Sequence, residues 1–194
     1  MSVKCFPKRD SAAGMAALRV DRNQIGDEGA AALAAAVEKA GLSSLDISHN
    51  ALGSKGAQAL CAAAGGLATL NLSGNRIGAD DGCEALHTLA LGGSLRELRL
   101  ANCRLTATAV TTLAAGAEPS PLQLLDLGQN KLEALGAELM APALQAGGFL
   151  AGLSSLVLNG AALGDAGAAA LAGALKENCG LAELELSDNG IGSL

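Results

Sequence analysis

The sequence predicts an α/β solenoid of about seven repeats, with short parallel strands on the inside of an arc and helices on the outside. One observation behind this prediction is a leucine that recurs every 25 to 31 residues and is followed two positions later by another aliphatic residue. The other is a block rich in alanine and glycine, with helical spacing of its apolar residues, between consecutive leucines. One strand and one helix cannot bury their apolar faces alone, so such units are expected to stack.

The strands come first in each repeat. Alternation of the recurrent leucine with a second aliphatic residue is typical of a short strand with one buried face. Helices are wider than the ~4.8 Å spacing of strands, so a stack of such units is expected to curve with its strands on the concave side. The seven aligned leucines are Leu18, Leu45, Leu70, Leu98, Leu125, Leu156 and Leu184.

A turn with a recurrent polar residue follows each strand. Asparagine at this position can bond the backbone of its own turn and of the next, and cysteine is an accepted substitute. Alanine cannot make these bonds, so the sequence predicts a looser turn from Asn159 to Leu163. The residues of this predicted asparagine ladder are Asn23, Asn50, Asn75, Cys103, Asn130 and Asn189, with Ala161 in the remaining position.

A helix is predicted after each of the first six turns. The clearest are Ile25 to Val37, Leu52 to Ala64 and Leu163 to Leu175, in which apolar residues recur every four positions. Asp27 and Glu28 lie in the first turn of a helix, where the helix dipole favours carboxylates over a metal site.

Domain organisation follows from where the repeats begin. Residues 1–14 form an amino-terminal segment and residues 15–194 one repeat domain, whose last repeat stops before its helix. The exposed edge of the seventh strand is therefore expected to promote self-association.

Composition limits the classes of function. The 194 residues carry a net charge of −6, with no Trp or Tyr, so the chain lacks the positive field and aromatic platforms of nucleic-acid binders. No apolar run approaches the ~20 residues of a membrane span, and no convincing secretory signal is present. Five cysteines without a CxxC pair indicate reduced thiols. We expect a cytoplasmic protein, with the nucleus as an alternative.

Two segments carry a resemblance to a known family. LSSLDISHNALGSKGAQAL (42–60) and ENCGLAELELSDNGIG (177–192) resemble the ribonuclease-inhibitor-type leucine-rich repeat, and the resemblance extends over about residues 15–194. The same unit occurs in the GTPase-activating protein of Ran and in the repeat arms of NOD-like receptors. The resemblance implies a horseshoe of leucine-rich repeats that recognises another protein.

The candidate binding residues are polar side chains that flank the buried leucines. Each of them alone is better explained as a solvated position, but as a surface they favour binding, because solenoids commonly bind partners with the concave face. Arg96 and Arg99 are the best individual candidates, because arginine is enriched in binding hot spots. Leu124 and Val157 are expected to form a small apolar patch there. The predicted partner-binding set is Arg19, Asp21, Asp46, His49, Asn71, Arg96, Arg99, Gln123, Asp126, Asn159, Glu183 and Glu185.

No constellation of catalytic residues is apparent. The two histidines, His49 and His87, fall on different predicted layers without a neighbouring nucleophile, and no glycine-rich stretch is followed by GK[ST]. The sequence therefore predicts a non-catalytic interaction scaffold without metal or cofactor. Two alternatives stay open: a GTPase activator that resembles the Ran type and uses Arg104, and a repeat segment of a larger NOD-like or signalling protein.

Overall fold

Seven short strands form one parallel sheet in the order of the sequence, as predicted. The computed structural model describes residues 15–79, 85–86, 94–114 and 120–192, and strands that follow one another in the chain are neighbours in the sheet. The strands are β1 (Ala17–Arg19), β2 (Ser44–Asp46), β3 (Thr69–Asn71), β4 (Glu97–Arg99), β5 (Leu124–Asp126), β6 (Ser155–Val157) and β7 (Glu183–Glu185).

The recurrent leucines set the register of the sheet. Each is the middle residue of its strand and pairs with the leucine of the next, from Leu18 in β1 to Leu184 in β7. The five inner leucines are buried, whereas Leu18 and Leu184 are only partly buried because each has a neighbouring strand on one side. The predicted alignment of all seven repeats is confirmed.

Helices cover the leucine side of the sheet and pack against one another in sequence order, α1 on α2, α3 on α4 and α4 on α5. The helices of the described residues are α1 (Gly26–Ala40), α2 (Ser54–Ala62), α3 (Ala107–Ala114), α4 (Glu133–Leu144) and α5 (Gly164–Leu175), with 3-10 turns at Ala64–Gly66 and Ile77–Ala79.

Some predictions fall on parts of the chain outside the described residues. The sixth predicted helix, between β3 and β4, is one of them, although residues 85–86 are helical there. The amino-terminal segment 1–14 is another, so the domain boundary at residue 15 and the truncation of the last repeat stay predictions.

The predicted asparagine ladder is present in the core. Asn75 is typical: its Nδ2 donates to Leu72 O of its own turn (2.7 Å) and to Ile47 O of the preceding repeat (3.2 Å). Its Oδ1 accepts the backbone N–H groups of Asn50 (2.9 Å) and Leu52 (3.0 Å). One carboxamide thus satisfies four buried backbone groups across two repeats.

The direction of these bonds corrects the sequence interpretation. The carboxamides of Asn50, Asn75, Asn130 and Asn189 bond the preceding repeat, not the next one. The reason is geometric: the side chain points back across the sheet toward the turn before it. Cys103 substitutes as predicted, since its thiol donates to Leu72 O at 3.3 Å.

The two ends of the ladder differ from its middle. Asn23, in the first repeat, is exposed and its Nδ2 bonds only its own turn, at Val20 O and Asp21 O. Ala161 is fully buried and presents a methyl group where the other repeats present a carboxamide or, at Cys103, a thiol. The looser turn expected around Ala161 stays a prediction.

An aspartate also links neighbouring repeats in the helix layer. Asp27 lies in the first turn of α1 as predicted, yet its Oδ1 accepts the N–H groups of Gly53 (2.7 Å) and Gly56 (3.0 Å) at the start of α2. A Cβ at Gly56 would collide with this carboxylate, which explains glycine there. Asp27 therefore caps the helix of the next repeat.

We predict that replacing Asn75 with alanine lowers the free energy of unfolding by about 3 kcal/mol, because each buried N–H without an acceptor costs roughly 1 to 3 kcal/mol. Asn23→Ala is the matched control, in which the same atoms are removed from an exposed turn, and it should change stability by less than about 0.5 kcal/mol. Urea denaturation measures both. Equal losses would contradict the ladder as the coupling between repeats.

Candidate functional site

The face of the sheet opposite the helices, called the concave face here, is built from two rows of side chains. The register places the residue after each leucine in one row and the residue before it in the other. The first row is Arg19, Asp46, Asn71, Arg99, Asp126, Val157 and Glu185. The second row is Ala17, Ser44, Thr69, Glu97, Leu124, Ser155 and Glu183.

Seven of the twelve predicted binding residues share this face. Six form most of the first row, namely Arg19, Asp46, Asn71, Arg99, Asp126 and Glu185, and Glu183 belongs to the second row. Adjacent members lie one strand apart, at ~4.8 Å spacing. A partner lying across the strands would therefore meet these side chains one after another.

The other five predicted residues lie just beyond the ends of their strands, at the two rims of the concave face. Asp21, His49 and Asn159 follow the carboxyl ends of their strands, whereas Arg96 and Gln123 precede the amino ends. The structure therefore does not bring all twelve residues together. These five lie two residues before the central leucine of a strand or three to four residues after it, outside the three positions of each strand that pair in the sheet.

His49 lies against the neighbouring repeat. It adopts a left-handed backbone conformation (φ 55°), and its exposed side chain lies so close to Gly74 that a Cβ there would collide with the imidazole. Gly74 itself has a φ of 72°, so glycine is required at this position on two grounds.

Three residues of the first row also close the ends of their strands. The side-chain Oδ1 of Asp46 accepts the N–H of Ser48 (3.1 Å) and its hydroxyl (2.7 Å). Asn71 Oδ1 accepts the N–H of Ser73 (3.1 Å), and Asp126 Oδ1 that of Gly128 (3.0 Å). Sequence reasoning missed this role, although LDIS, LNLS and LDLG carry its signal: Asp or Asn two residues before Ser or Gly.

The arginines of the face are paired with acids. Arg99 lies 3.1 Å from Glu97 on its own strand, and Arg19 lies 3.9 Å from Asp46 on the next one. Exposed pairs of this kind stabilise a fold by about 0 to 1 kcal/mol. A partner carboxylate could therefore replace Glu97 at Arg99 with little loss of stability.

A shallow depression lies on the face between β1 and β4. It has a volume of about 300 Å³, and its lining includes Arg19, Asp46, Asn71 and Arg99. Hydroxyl groups of Ser44 and Thr69 also line it. Its mixture of cationic, anionic and neutral polar groups suits a polar protein surface.

The face around β5 to β7 is acidic with an apolar centre. Asn159 Nδ2 donates to Glu185 Oε2 (2.6 Å), and Ser155 Oγ donates to Glu183 Oε2 (3.2 Å). No basic group of the described residues lies within 4.0 Å of the carboxylates of Asp126, Glu183 or Glu185. Leu124 and Val157 lie on neighbouring strands of this region but in different rows, and the small apolar patch stays a prediction.

The described residues offer no candidate metal site, and two of their thiols are buried. No group of three or more His, Cys, Asp or Glu residues is placed there to hold a metal ion, and none of the helices there is long and apolar enough to cross a membrane. Cys61 and Cys103 are buried free thiols, and burial raises the pKa of each to about 12. Both are therefore poor nucleophiles. Cys179 is exposed. His87, Cys5 and Cys83 lie outside the described residues.

Comparison with known proteins identifies the repeating unit. A family model described as Leucine Rich repeat matches residues 16–34, 42–61, 67–86 and 153–172. Each match begins shortly before a strand, at β1, β2, β3 and β6, and continues toward or into the next helix. No curated protein matches the chain significantly.

We predict that iodoacetamide at pH 8 alkylates Cys179 but neither Cys61 nor Cys103 in the folded chain. A pKa near 12 leaves only about one thiolate in ten thousand at this pH, and burial blocks access to the rest. Peptide mass mapping measures each site, and urea-unfolded chain, in which all three should react, is the control. Alkylation of Cys103 at the rate of Cys179 would contradict a closed ladder at the fourth repeat.

Proposed function

We propose that this chain, which is a leucine-rich repeat protein, is a non-catalytic module that binds another protein with its concave face. The coarse function follows from the family, whose members are generally binding proteins without enzymatic activity. The choice of the concave face rests on the geometry of the two side-chain rows.

The observation that carries the proposal is the contrast between the two faces of the sheet. On the helix side, the central residue of every strand is leucine, and its function in packing is the same in each repeat. On the concave side, the same backbone positions carry cations, anions, amides, hydroxyls and aliphatic groups. A constant backbone with variable side chains suits specific recognition of an extended partner surface.

Arg99 is the proposed anchor of the partner. It lies in the central strand of the seven, its side chain is 38% exposed, and its present ionic partner, Glu97, is on the same strand. Arginine near the centre of an interface is enriched among hot spots, because its planar guanidinium can bind carboxylates in a bidentate manner. Arg96 directly precedes the same strand, so it would contact the partner at the rim of the interface.

The apolar pair Leu124 and Val157 is the proposed second contact. Val157 lies between Asp126 and Glu185 on the neighbouring strands, and both carboxylates lack basic neighbours within the described part of the chain. An aliphatic side chain of the partner, flanked by a basic one, would complement this half of the face.

We also propose that the protein resides in a reducing compartment, the cytoplasm or the nucleus. Support comes from the buried free thiols of Cys61 and Cys103, since proteins of oxidising compartments tend to pair their cysteines. A further proposed interaction is self-association at the edge of β7, where Glu183 and Glu185 are exposed.

We predict that Arg99→Glu weakens the binding of concave-face ligands at least tenfold, about 1.4 kcal/mol. Ligands would be selected from a displayed peptide library on the wild-type chain and their affinities measured by calorimetry. Glu138→Arg is the control. It reverses the charge of an exposed residue on helix α4 and should leave the affinities unchanged. Selected peptides that respond to the α4 control and not to Arg99→Glu would place the binding surface on the helices instead.

The alternative, GTPase activation, is tested separately. It would depend on Arg104, which is exposed in the turn after β4 with a φ of 60°. An arginine that acts on phosphoryl transfer raises turnover roughly 10³- to 10⁵-fold. We expect no stimulation of GTP hydrolysis by Ran or other small GTPases at substoichiometric amounts of the chain. Multiple-turnover stimulation that Arg104→Ala abolishes would overturn the non-catalytic proposal.

A further inference from the structure

In the first repeat, the ladder asparagine has an acceptor oxygen that receives no N–H group from another described repeat. Asn23 Nδ2 is bonded to its own turn, but no donor of the described residues reaches its Oδ1. In the later repeats this oxygen accepts N–H groups from the repeat before, as Asn130 Oδ1 does from Cys103 (2.9 Å) and Leu105 (3.0 Å). Asn23 is therefore already oriented to accept the same pair of donors.

The last repeat carries the complementary half. Its turn has N–H groups at Asn189 and Ile191, which correspond to Ala161 and Leu163 one repeat earlier. Those two donate to Asn189 Oδ1 at 2.9 and 3.2 Å. No acceptor of the described residues reaches the N–H groups of Asn189 and Ile191 in the same way.

The strand edges match as well. Within the sheet, Leu158 N donates to Glu185 O (2.9 Å) and Gly160 N donates to Ser187 O (2.8 Å). One repeat later the corresponding donors are the N–H groups of Leu186 and Asp188. Continuation of the sheet would place the carbonyl oxygens of Arg19 and Asp21 opposite them.

Charge favours this pairing and disfavours its alternatives. In the first row of the concave face, β1 ends with Arg19 and β7 ends with Glu185. In the left-handed turn position, the first repeat has Arg22 (φ 55°) and the last has Asp188 (φ 58°). Stacked in register, the two cations would each lie one strand spacing from an anion. Joining two β1 ends or two β7 ends would instead oppose like charges.

We propose that β7 of one copy of this chain pairs in parallel with β1 of a second copy, so that the sheet continues from molecule to molecule. This inference deepens the proposed self-association at β7 and is independent of concave-face binding. The contact joins two different surfaces, so each added copy leaves a free β1 end and a free β7 end. Association therefore proceeds head to tail and does not close at a dimer.

A hydrogen bond fixes the turn that follows β7. Asp165 Oδ1 accepts the N–H of Gly192 at 2.7 Å, which ties the last turn to the start of α5 as Asp27 ties Gly53 to α1. The described groups that would pair in this contact belong to strands and turns. Its small area gives an association that depends steeply on concentration and ionic strength.

Sedimentation velocity of the full chain tests the proposal with two charge-reversed variants. One carries Glu185→Arg and Asp188→Arg, and the other carries Arg19→Glu and Arg22→Glu; all four side chains are exposed or lie on an outer strand, and circular dichroism checks folding. At low ionic strength the wild type should show a sedimentation coefficient that rises over about a hundredfold range of concentration. Each variant alone should stay monomeric, because its two ends now repel.

An equimolar mixture of the two variants restores opposite charges at every junction and should associate again. Glu138→Arg is the control for net charge and should behave as wild type. A wild type that stays monomeric, variants that associate alone as the wild type does, or a mixture that stays monomeric would each overturn the proposal. Arg99→Glu should leave self-association intact, so failure here is distinguishable from failure of concave-face binding.

Discussion

The buried carboxamide that follows four of the seven strands, at Asn50, Asn75, Asn130 and Asn189, is the interaction on which the structure depends. A strand of three residues makes few hydrogen bonds with its neighbours, and its turn leaves backbone N–H and C=O groups inside the core. An unpaired buried group costs roughly 1 to 3 kcal/mol, so several per repeat would exceed what a small repeat gains from its leucines. The side chain of Asn75 satisfies four such groups in two repeats. Neighbouring repeats can therefore pair their strands in only one register.

This register also determines how the concave face is used. Because strand pairing and the ladder hold the backbone of the sheet, a substitution in the two outward rows changes chemistry without changing position. Asp46 and Asp126 qualify this separation, since each uses one carboxylate oxygen to close its own strand end. Arg99 and Val157 are not constrained in this way among the described contacts. We therefore expect Arg99 and Val157 to contribute more to partner recognition than Asp46 and Asp126.

The sequence predicted what recurs with the repeat and missed what joins one repeat to another. Seven leucines and six ladder residues repeat at a readable spacing, and the strands, their order and their register followed from them. The ladder bonds point to the preceding repeat, which periodicity alone cannot indicate because it reads the same in both directions. Asp27 caps a helix 26 residues further on, and no local pattern marks a contact of that range. The predicted binding set was divided because five of its residues lie outside the three positions of each strand that pair in the sheet.

The contacts that hold the repeats together are also the contacts that the proposed self-association would use at the two ends of the sheet. Where the next repeat carries a buried asparagine, a repeat gives its N–H groups to that side chain, as Cys103 and Leu105 do to Asn130. The first and last described repeats each retain one unused half of this exchange, at Asn23 and at the N–H groups near Asn189. Backbone hydrogen bonding alone does not distinguish the β1 edge of a second copy from any other exposed strand edge. The cations beside β1 and the anions beside β7 discriminate among such edges, because opposite charge is available only where the chain meets a second copy in the register that it uses internally.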